Sequence, residues 1–257
     1  MQNLVIINDW RGDSLYRTML KGIILSKIPD VNITFLDTIR RDSIFEAAFV
    51  LRFSIYKYPA NTIFILGISS VVSQNCGYLY TKILDKHIFS SNNGFLGLFT
   101  DLLNEIEVRK LPYEKTTFPE LDIFIPAIVQ LIENGNLIEY AEKYENFTKF
   151  TPLMPEIQKN HITASVIYVD VFGNIITNLS KTSFEKAIKN RTFIIYPGTK
   201  YVKIEKISDS YDDVDDMDVF AIFNSLDLLE IGIKNSSISE YYNLKFLSNI
   251  TIEIYDT

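Results

Sequence analysis

Apolar and polar residues alternate along the chain with two different periods. In the first 150 residues, continuous apolar runs such as 4–7 and 62–68 are separated by stretches in which apolar residues recur every three or four positions. Short continuous runs are typical of strands buried on both faces, whereas the longer period is typical of amphipathic helices. Because strands and helices take turns along the chain, this half is predicted to be an α/β domain with a mostly parallel sheet flanked by helices.

Turn and cap residues set the predicted limits of these elements. Asp13 stands where a residue would cap the first helix, Ser43 and Glu46 form a capping box before the second, and Gly135 is placed to end the third. The predicted strands are 4–7, 32–36, 62–68 and 82–89, and the last predicted helix of this half is 122–134.

The pattern changes across residues 150–161, a polar stretch that contains two prolines and reads as a connector. Beyond it, the prediction is of short strands at 165–171, 192–195, 202–207, 219–223, 228–233 and 251–254, and of one helix opened by a capping box at Thr182 and Glu185. Several short strands with turn residues between them indicate a small β-barrel-like domain. The predicted domains are therefore an N-terminal α/β domain, 1–155, and a C-terminal β-rich domain, 162–257.

Residues 167–179 carry the densest group of polar side chains in an otherwise apolar region. The segment reads as a hairpin, with Gly173 and Asn174 at the turn. The hydrogen-bonding side chains are Asp170, Asn174, Thr177 and Asn178. Polar groups held among apolar strands either contact a ligand or lock a turn, and a hairpin with polar tips is the simpler interpretation of these residues taken alone.

Composition narrows the classes of function. The chain has 257 residues, and its 25 Lys and Arg against 32 Asp and Glu give a net charge of −7, which disfavours a nucleic-acid partner. One cysteine and two separated histidines predict neither a disulfide nor a metal site. The apolar run at the N-terminus is too short for a membrane span or a signal sequence, so we expect a cytoplasmic protein with no membrane partner.

Candidate chemistry begins with carboxylates after the first strand. Ligands of open α/β sheets bind outside the carboxyl ends of strands, where Asp9 and Asp13 are expected. They can accept hydrogen bonds from ribose hydroxyls or an ammonium group, or Asp9 is a turn residue and Asp13 only a helix cap. Ser225, before a predicted strand, can meet a base edge or form a turn. The sequence contains no recognisable nucleophile and base pair, so no catalytic residue is assigned.

The string DVFGNIITN at 170–178 resembles the signature of the SAM hydroxide adenosyltransferase family, which is related to SAM-dependent chlorinases and fluorinases. Further matches keep the family's order. The segments are IINDWRGD for the family's TDFG and following D-x-Y, MLKGII for its MKG, FEAAF for REAAF, SSNNG for APDNG, PELDIFIPAI for HGRDIFAPAA, and NSLDLLEIGI for SSGYLEIAV. The resemblance therefore runs over nearly the whole chain.

The resemblance implies a homotrimer that binds S-adenosyl-L-methionine (SAM) at sites shared between subunits, without a further cofactor. The implied binding residues are Asp9, Asp13, Asp170, Phe172, Asn174 and Ser225. Asp9 is expected to bind the ribose, and Asp170 to lie near the methionine end. Phe172 and Asn174 are expected to meet the adenine, with help from the region of Ser225.

The departures from the family pattern fall at its catalytic positions. The family carries an Asp in VDPGVG, an Arg shortly after it, and a His and an Arg in HGRD; this chain has Ile68, Pro119 and Leu121 at the first, third and fourth of these positions. The aspartate of PDNG has become Asn92. Neither an aliphatic side chain nor a proline can accept or donate a proton, so we expect weak or lost conversion of SAM and water to adenosine and L-methionine. Asp122 or Glu120 is kept as a possible replacement.

Two other functions stay open at this point. One is a non-catalytic SAM- or adenosine-binding or assembly protein, and the other is an enzyme for a different nucleoside derivative. The retained polar residues of the hairpin favour ligand binding in every case.

Overall fold

The computed structural model describes residues 1–10, 14–36, 39–40, 42–102 and 107–256, and the side chains of all of these except 100–102. The chain divides into two compact units, Met1–Pro152 and Leu153–Thr257. Each unit has its own sheet and its own core, and each is described separately below.

Unit 1 contains a seven-stranded mixed sheet with helices on both faces. Its elements are β1 (Gln2–Asn8), α1 (Leu15–Lys27), β2 (Val31–Leu36), α2 (Ile44–Ser54), β3 (Ile63–Gly67), β4 (Tyr78–Ile83), β5 (Lys86–Ser91), a 3-10 segment (Phe95–Leu102), β6 (Val108–Lys110), a π-helical turn (Glu120–Phe124), α3 (Ile125–Asn134) and β7 (Glu142–Lys143). The strand order is β2-β1-β3-β5-β4-β6-β7. The first four strands in this order are parallel, and the other three continue the sheet antiparallel.

Two apolar cores explain why β1 and β3 are continuous apolar runs. Alternate side chains of these strands enter opposite cores, one against α1 and α3 and the other against α2. A strand covered on both faces has no solvent side for polar residues, which is the arrangement predicted for the parallel strands. The predicted α/β fold class is confirmed for this unit.

Three local predictions for unit 1 have different outcomes. The single strand at 82–89 is wrong, because the chain reverses at Leu84 and Asp85, both with positive φ, and forms the β4–β5 hairpin. Ser43 precedes α2, but its side chain accepts no capping hydrogen bond, and buried Glu46 accepts hydrogen bonds from the backbone and side chain of Arg40 rather than completing a capping box. Gly135 ends α3 in the left-handed conformation, as predicted.

Unit 2 is built on a curled antiparallel half-barrel. Its elements are β8 (Glu156–Ile157), β9 (His161–Val169), β10 (Ile175–Ser180), α4 (Lys181–Ile188), β11 (Thr192–Pro197), β12 (Val219–Phe223), β13 (Leu228–Ile233), α5 (Ile238–Tyr241) and β14 (Asn249–Tyr255). The order is β11-β14-β9-β10-β13-β12, with β8 beside β9. The β-barrel-like prediction is therefore confirmed at the level of fold class.

Two predicted features of unit 2 are wrong. Residues 202–207 contain only an isolated bridge between Ile204 and Ile195, so no strand forms there. The helix cap is Ser180, whose hydroxyl accepts a hydrogen bond from the backbone N–H of Ser183, rather than Thr182. Thr182 lies inside α4, where it cannot serve as the flanking residue that a cap requires.

Candidate functional site

Asp170 organises the turn between β9 and β10. Its Oδ1 accepts hydrogen bonds from the backbone N–H groups of Phe172, at 2.9 Å, and Asn174, at 2.8 Å. Gly173 has φ +81°, and a Cβ there would overlap the Ser237 side chain, so the turn needs glycine. The predicted hairpin is present, and its aspartate fixes the backbone as well as offering a carboxylate.

Asn174 connects this turn to a buried carboxylate on β13. Its Nδ2 donates to Asp170 Oδ2, at 3.2 Å, and to Glu230 Oε1, at 3.3 Å. Glu230 also accepts hydrogen bonds from the Tyr211 hydroxyl and from Asn224 Nδ2, each at 2.9 Å. Burial and the bond to Glu230 raise the pKa of Tyr211 to about 12, which keeps the hydroxyl protonated as a donor.

An open cleft of about 700 Å³ lies beside this network, entirely within unit 2. Asp170, Asn174, Phe172, Tyr211 and Phe220 contribute to its lining. The Phe172 ring is free to meet a ligand, because the residue is 75% exposed at the tip of the hairpin. Aromatic surface beside fixed amide and carboxylate groups suits a ligand with a flat heterocycle and polar substituents.

The predicted residues of unit 2 do not all meet in this cleft. Asp170, Phe172 and Asn174 line it together, whereas Ser225 is exposed in the turn between β12 and β13 and does not line it. Sequence reasoning missed Glu230, although a carboxylate inside the apolar strand LLEIGI is a usable signal. Tyr211, in an acidic loop, gave no such signal.

In unit 1, Asp9 lies at the carboxyl end of β1. Its Oδ2 accepts a hydrogen bond from the backbone N–H of Asp42, at 2.9 Å, and the side chain is half-buried. Asp42 in turn accepts from the Ser69 hydroxyl at 3.1 Å. Asp9 therefore has the position at the strand end that was predicted for a ligand-binding carboxylate. Asp13 lies outside the described residues.

A group of polar side chains next to Asp9 occupies the same edge of the sheet; we call Asn8, Asp9, Ser70, Tyr78 and Glu120 the carboxyl-edge cluster. Strand register puts Asn8 opposite Gly67, and Tyr78 opposite Ser91. Asn8, Tyr78 and Glu120 are almost completely buried. Within the described residues, Asn8 Nδ2, the Tyr78 hydroxyl and Glu120 Oε1 form no hydrogen bond of normal geometry. Unpaired buried polar atoms are rare, and several at one place are typical of a functional site.

Glu120 is the central group of this cluster. It begins the π-helical turn before α3, and its carboxyl group lies over the end of β3, where a Cβ on Gly67 would be 2.6 Å from Oε1. Burial raises its pKa, a nearby Ser70 partly offsets that effect, and the charge of Asp9 raises the pKa further. Asp9 and Glu120 therefore interact, although the sequence did not predict this pair.

The residues of this chain at the family's catalytic positions pack in a core, precede a turn or join loops. Ile68 is buried in the core against α2, and Pro119 precedes the turn that holds Glu120. Leu121 packs against the core that contains α1 and α3. Asn92 joins two loops, since Nδ2 donates to the Cys76 carbonyl at 2.9 Å and Oδ1 accepts from the Thr148 N–H at 2.7 Å.

Family models match both units of the chain. The SAM hydroxide adenosyltransferase N-terminal domain matches residues 4–141, and the C-terminal domain of the same family matches residues 164–251. The chain belongs to the SAM hydroxide adenosyltransferase family. The fold-level resemblance predicted from the DVFGNIITN string is thereby confirmed.

Solved structures with the same fold span the whole chain. The crystal structure of an uncharacterized conserved protein from Thermotoga maritima is 21% identical, with a TM-score of 0.85, and covers 97% of this chain and 99% of its own. A conserved hypothetical protein from Thermus thermophilus is 17% identical, with a TM-score of 0.73, and covers 99% of this chain and 100% of its own. No curated protein matches the sequence.

Two further properties concern the site's surroundings. No group of three or more His, Cys, Asp or Glu residues that could hold a metal ion occurs in the described part of the chain. Within residues 1–10, 14–36, 39–40, 42–102 and 107–256, no helix combines the length and apolarity needed to cross a bilayer.

Proposed function

We propose that this member of the SAM hydroxide adenosyltransferase family binds S-adenosyl-L-methionine and hydrolyses it to adenosine and L-methionine slowly. The observation that carries the proposal is the contrast between two parts of the family pattern. The FGNxxTN segment forms a rigid, hydrogen-bonded wall of a cleft, whereas the expected ionisable side chains at Ile68, Pro119 and Leu121 are absent.

The cleft in unit 2 supports the binding part of the proposal. Asp170 and Asn174 hold each other through a side-chain hydrogen bond, so their polar atoms are fixed before a ligand arrives. Such preorganisation reduces the ordering cost of binding. The exposed Phe172 ring offers a stacking surface for an adenine, and Asp170 offers a charge that suits an ammonium group.

The chemistry of the reaction allows slow turnover even without the missing Asp, Arg and His groups. Attack at C5′ of SAM displaces a neutral thioether from a sulfonium, which is a good leaving group. A site that positions water and excludes bulk solvent still accelerates such a step. Loss of general acid–base help typically costs about 10²–10⁴-fold in rate.

Calorimetric titration with SAM and with adenosine tests the binding part directly. The expected result is saturable binding of SAM, with adenosine as a weaker ligand that lacks the methionine end. Guanosine is a matched nucleoside control, because its base edge carries different donors and acceptors. Equal affinity for guanosine and adenosine, with no binding of SAM, would support a different nucleoside derivative as the ligand.

Adenosine release, followed by chromatography over hours at saturating SAM, tests the catalytic part. The expected rate is well below about 1 s⁻¹, the low end of ordinary turnover numbers. A rate near that value would show that the missing Asp, Arg and His groups are not needed.

The family resemblance also leads us to propose a homotrimer in solution. Light scattering on the purified full chain measures this directly. A monomer at micromolar concentration would contradict a ligand site shared between subunits.

A further inference from the structure

The carboxyl-edge cluster contains a carboxyl group with no established role. Glu120 is only 1% exposed, and Oε1 forms no hydrogen bond within the described residues. Burying a carboxyl group without a full set of partners destabilises a fold, so a purely structural residue at this position would be better as an amide or an apolar side chain. Because Glu120 is buried despite this loss of stability, we look for a chemical role for its carboxyl group.

The place of Glu120 in the sheet suits a reaction with a bound ligand. Its carboxyl group lies at the carboxyl ends of parallel strands, beside the last residue of β3, which is where open α/β sheets bind ligands. Gly67 makes this position possible, because any larger side chain there would occupy the space that Oε1 fills. Asp9 is close enough for its charge to act on Glu120.

The neighbours of Glu120 can hold a water molecule against it. Asn8 is on the strand next to Gly67, on the face that Glu120 covers, and its unpaired Nδ2 is a donor. The Tyr78 hydroxyl, which also forms no hydrogen bond of normal geometry, is close enough for the Glu120 charge to contribute to its raised pKa. A donor amide, a hydroxyl and a carboxylate acceptor are the kinds of partner that one buried water needs.

We propose that Glu120 is the general base of this chain, which accepts a proton from the water that attacks the bound adenosyl ligand. The inference rests on the proposed function, including a ligand site that is shared between subunits, and it assigns the slow turnover of SAM to one side chain. The water oxygen forms a bond to C5′ while the C5′–sulfur bond breaks, and the electron pair of that bond stays on sulfur. The Glu120 carboxylate takes the water proton and later releases it to solvent. The products are adenosine and L-methionine.

The charged and titratable groups around Glu120 set the direction of its pH dependence. Among the described residues, these groups are Asp9 after β1, Tyr78 on β4, and Asp122 in the π-helical turn that also contains Glu120. Burial and the negative charge of Asp9 both favour the protonated form of Glu120, so its pKa lies above the ordinary value. The base form is the carboxylate. Turnover is therefore expected to rise with pH and to level off once Glu120 is ionised.

The test uses the full chain and five variants, each measured for SAM affinity by calorimetry and for adenosine release between pH 5 and 9. Glu120→Gln keeps the shape but cannot accept the proton, and its release rate is expected to fall about 10²-fold or more at pH 8 with SAM affinity kept. Its remaining rate is expected to be independent of pH. Glu120→Asp is expected to recover part of the activity and the rising profile.

Gly67→Ala, alone and combined with Glu120→Gln, and the control Glu133→Gln complete the set. A Cβ at residue 67 would push the Glu120 carboxyl group away, so the rate is expected to fall in the wild-type background and to stay unchanged when Glu120→Gln is already present. Glu133 is an exposed carboxylate in the last turn of α3, and its amide variant is expected to keep the wild-type rate.

The outcomes separate this inference from the proposed function. If the wild type binds SAM and Glu120→Gln releases adenosine at the wild-type rate with the same pH profile, Glu120 is not the base. Binding of SAM with no release by the wild type also overturns the inference, while the binding function stands. If the wild type does not bind SAM, the proposed function itself fails.

Discussion

The two units each contain a buried glutamate, and the surroundings of these two carboxyl groups are opposite in kind. Glu230 in unit 2 accepts hydrogen bonds from Asn174, Tyr211 and Asn224. Glu120 in unit 1 has one carboxyl oxygen without a partner among the described residues, and burial raises its pKa. The first is a satisfied network that fixes a binding surface. The second is a group whose unfavourable environment makes it a better proton acceptor once ionised.

This difference is informative because the departures at the family's catalytic positions all fall in unit 1. The hairpin of unit 2 keeps the FGNxxTN residues and their hydrogen bonds, whereas the expected ionisable positions of unit 1 carry apolar residues. A member of this family can therefore retain the residues of the ligand-binding hairpin while the ionisable residues at its catalytic positions are replaced. Five variants test the comparison, in order of expected effect.

Removing the Glu230 charge is expected to have the largest effect on stability. In Glu230→Gln, the new amide group brings donors into a site built from three donors, so favourable bonds are replaced by unfavourable contacts. The free energy of unfolding should fall by roughly 2–4 kcal/mol, since bonds to a charged acceptor contribute about 1.5–3 kcal/mol each. Thermal melting measures the loss, with the exposed Glu156→Gln as a control expected to change little. A melting temperature unchanged in both variants would show that the network does not stabilise unit 2.

Asp170→Asn separates the charge of Asp170 from its role in the turn. Its remaining carbonyl oxygen can still accept from the N–H groups of Phe172 and Asn174, and only the 3.2 Å bond from Asn174 Nδ2 loses its acceptor, so the turn should be retained. SAM affinity is expected to fall about 10–100-fold, as for loss of a hydrogen bond to a charged group. Calorimetry and melting are run on the same sample. A lower melting temperature with unchanged affinity would mean that Asp170 acts only on the turn.

Glu120→Gln is expected to stabilise unit 1 while it impairs turnover. A carboxyl group whose pKa is higher in the folded state contributes stability at low pH, and this contribution is lost as pH rises through its folded pKa. The variant should therefore melt at a higher temperature than the wild type at pH 8, by about 2–4 °C for each kcal/mol, and the gap should shrink toward pH 4. A gap of the same size at every pH would contradict a raised pKa as its cause.

A pair of hydroxyl deletions gives the smallest and most direct comparison. Tyr211→Phe removes a donor to Glu230 and should lower the free energy of unfolding by about 1 kcal/mol, less than a fully buried bond to a charged group contributes, because the residue is partly exposed. Tyr78→Phe removes a buried hydroxyl that forms no hydrogen bond of normal geometry, so stability should stay within about 0.5 kcal/mol or rise. Equal losses in both variants would mean that the Tyr78 hydroxyl is paired in solution.

The sequence by itself determined the fold class and much of the hairpin. Continuous apolar runs identified β1 and β3 because both faces of these strands are covered, and a glycine was correctly placed at the end of α3. Asp170 and Asn174 were found because polar residues are conspicuous between apolar strands. These signals are local, since each depends on the period of the chain or on the dihedral preferences of one residue.

The tertiary structure decided the features that depend on register and long-range contact. The apolar pattern at 82–89 runs through a turn, so pattern alone could not separate β4 from β5. Ser180 replaced Thr182 as the cap because the end of β10, set by its pairing with β13, fixes where α4 begins. Glu120 meets Gly67, and its charge interacts with Asp9, only because β1, β3 and the turn before α3 converge at one edge of the sheet. The burial of Glu120 and its raised pKa result from this convergence. The residues involved are far apart in the sequence, so no local pattern predicts it.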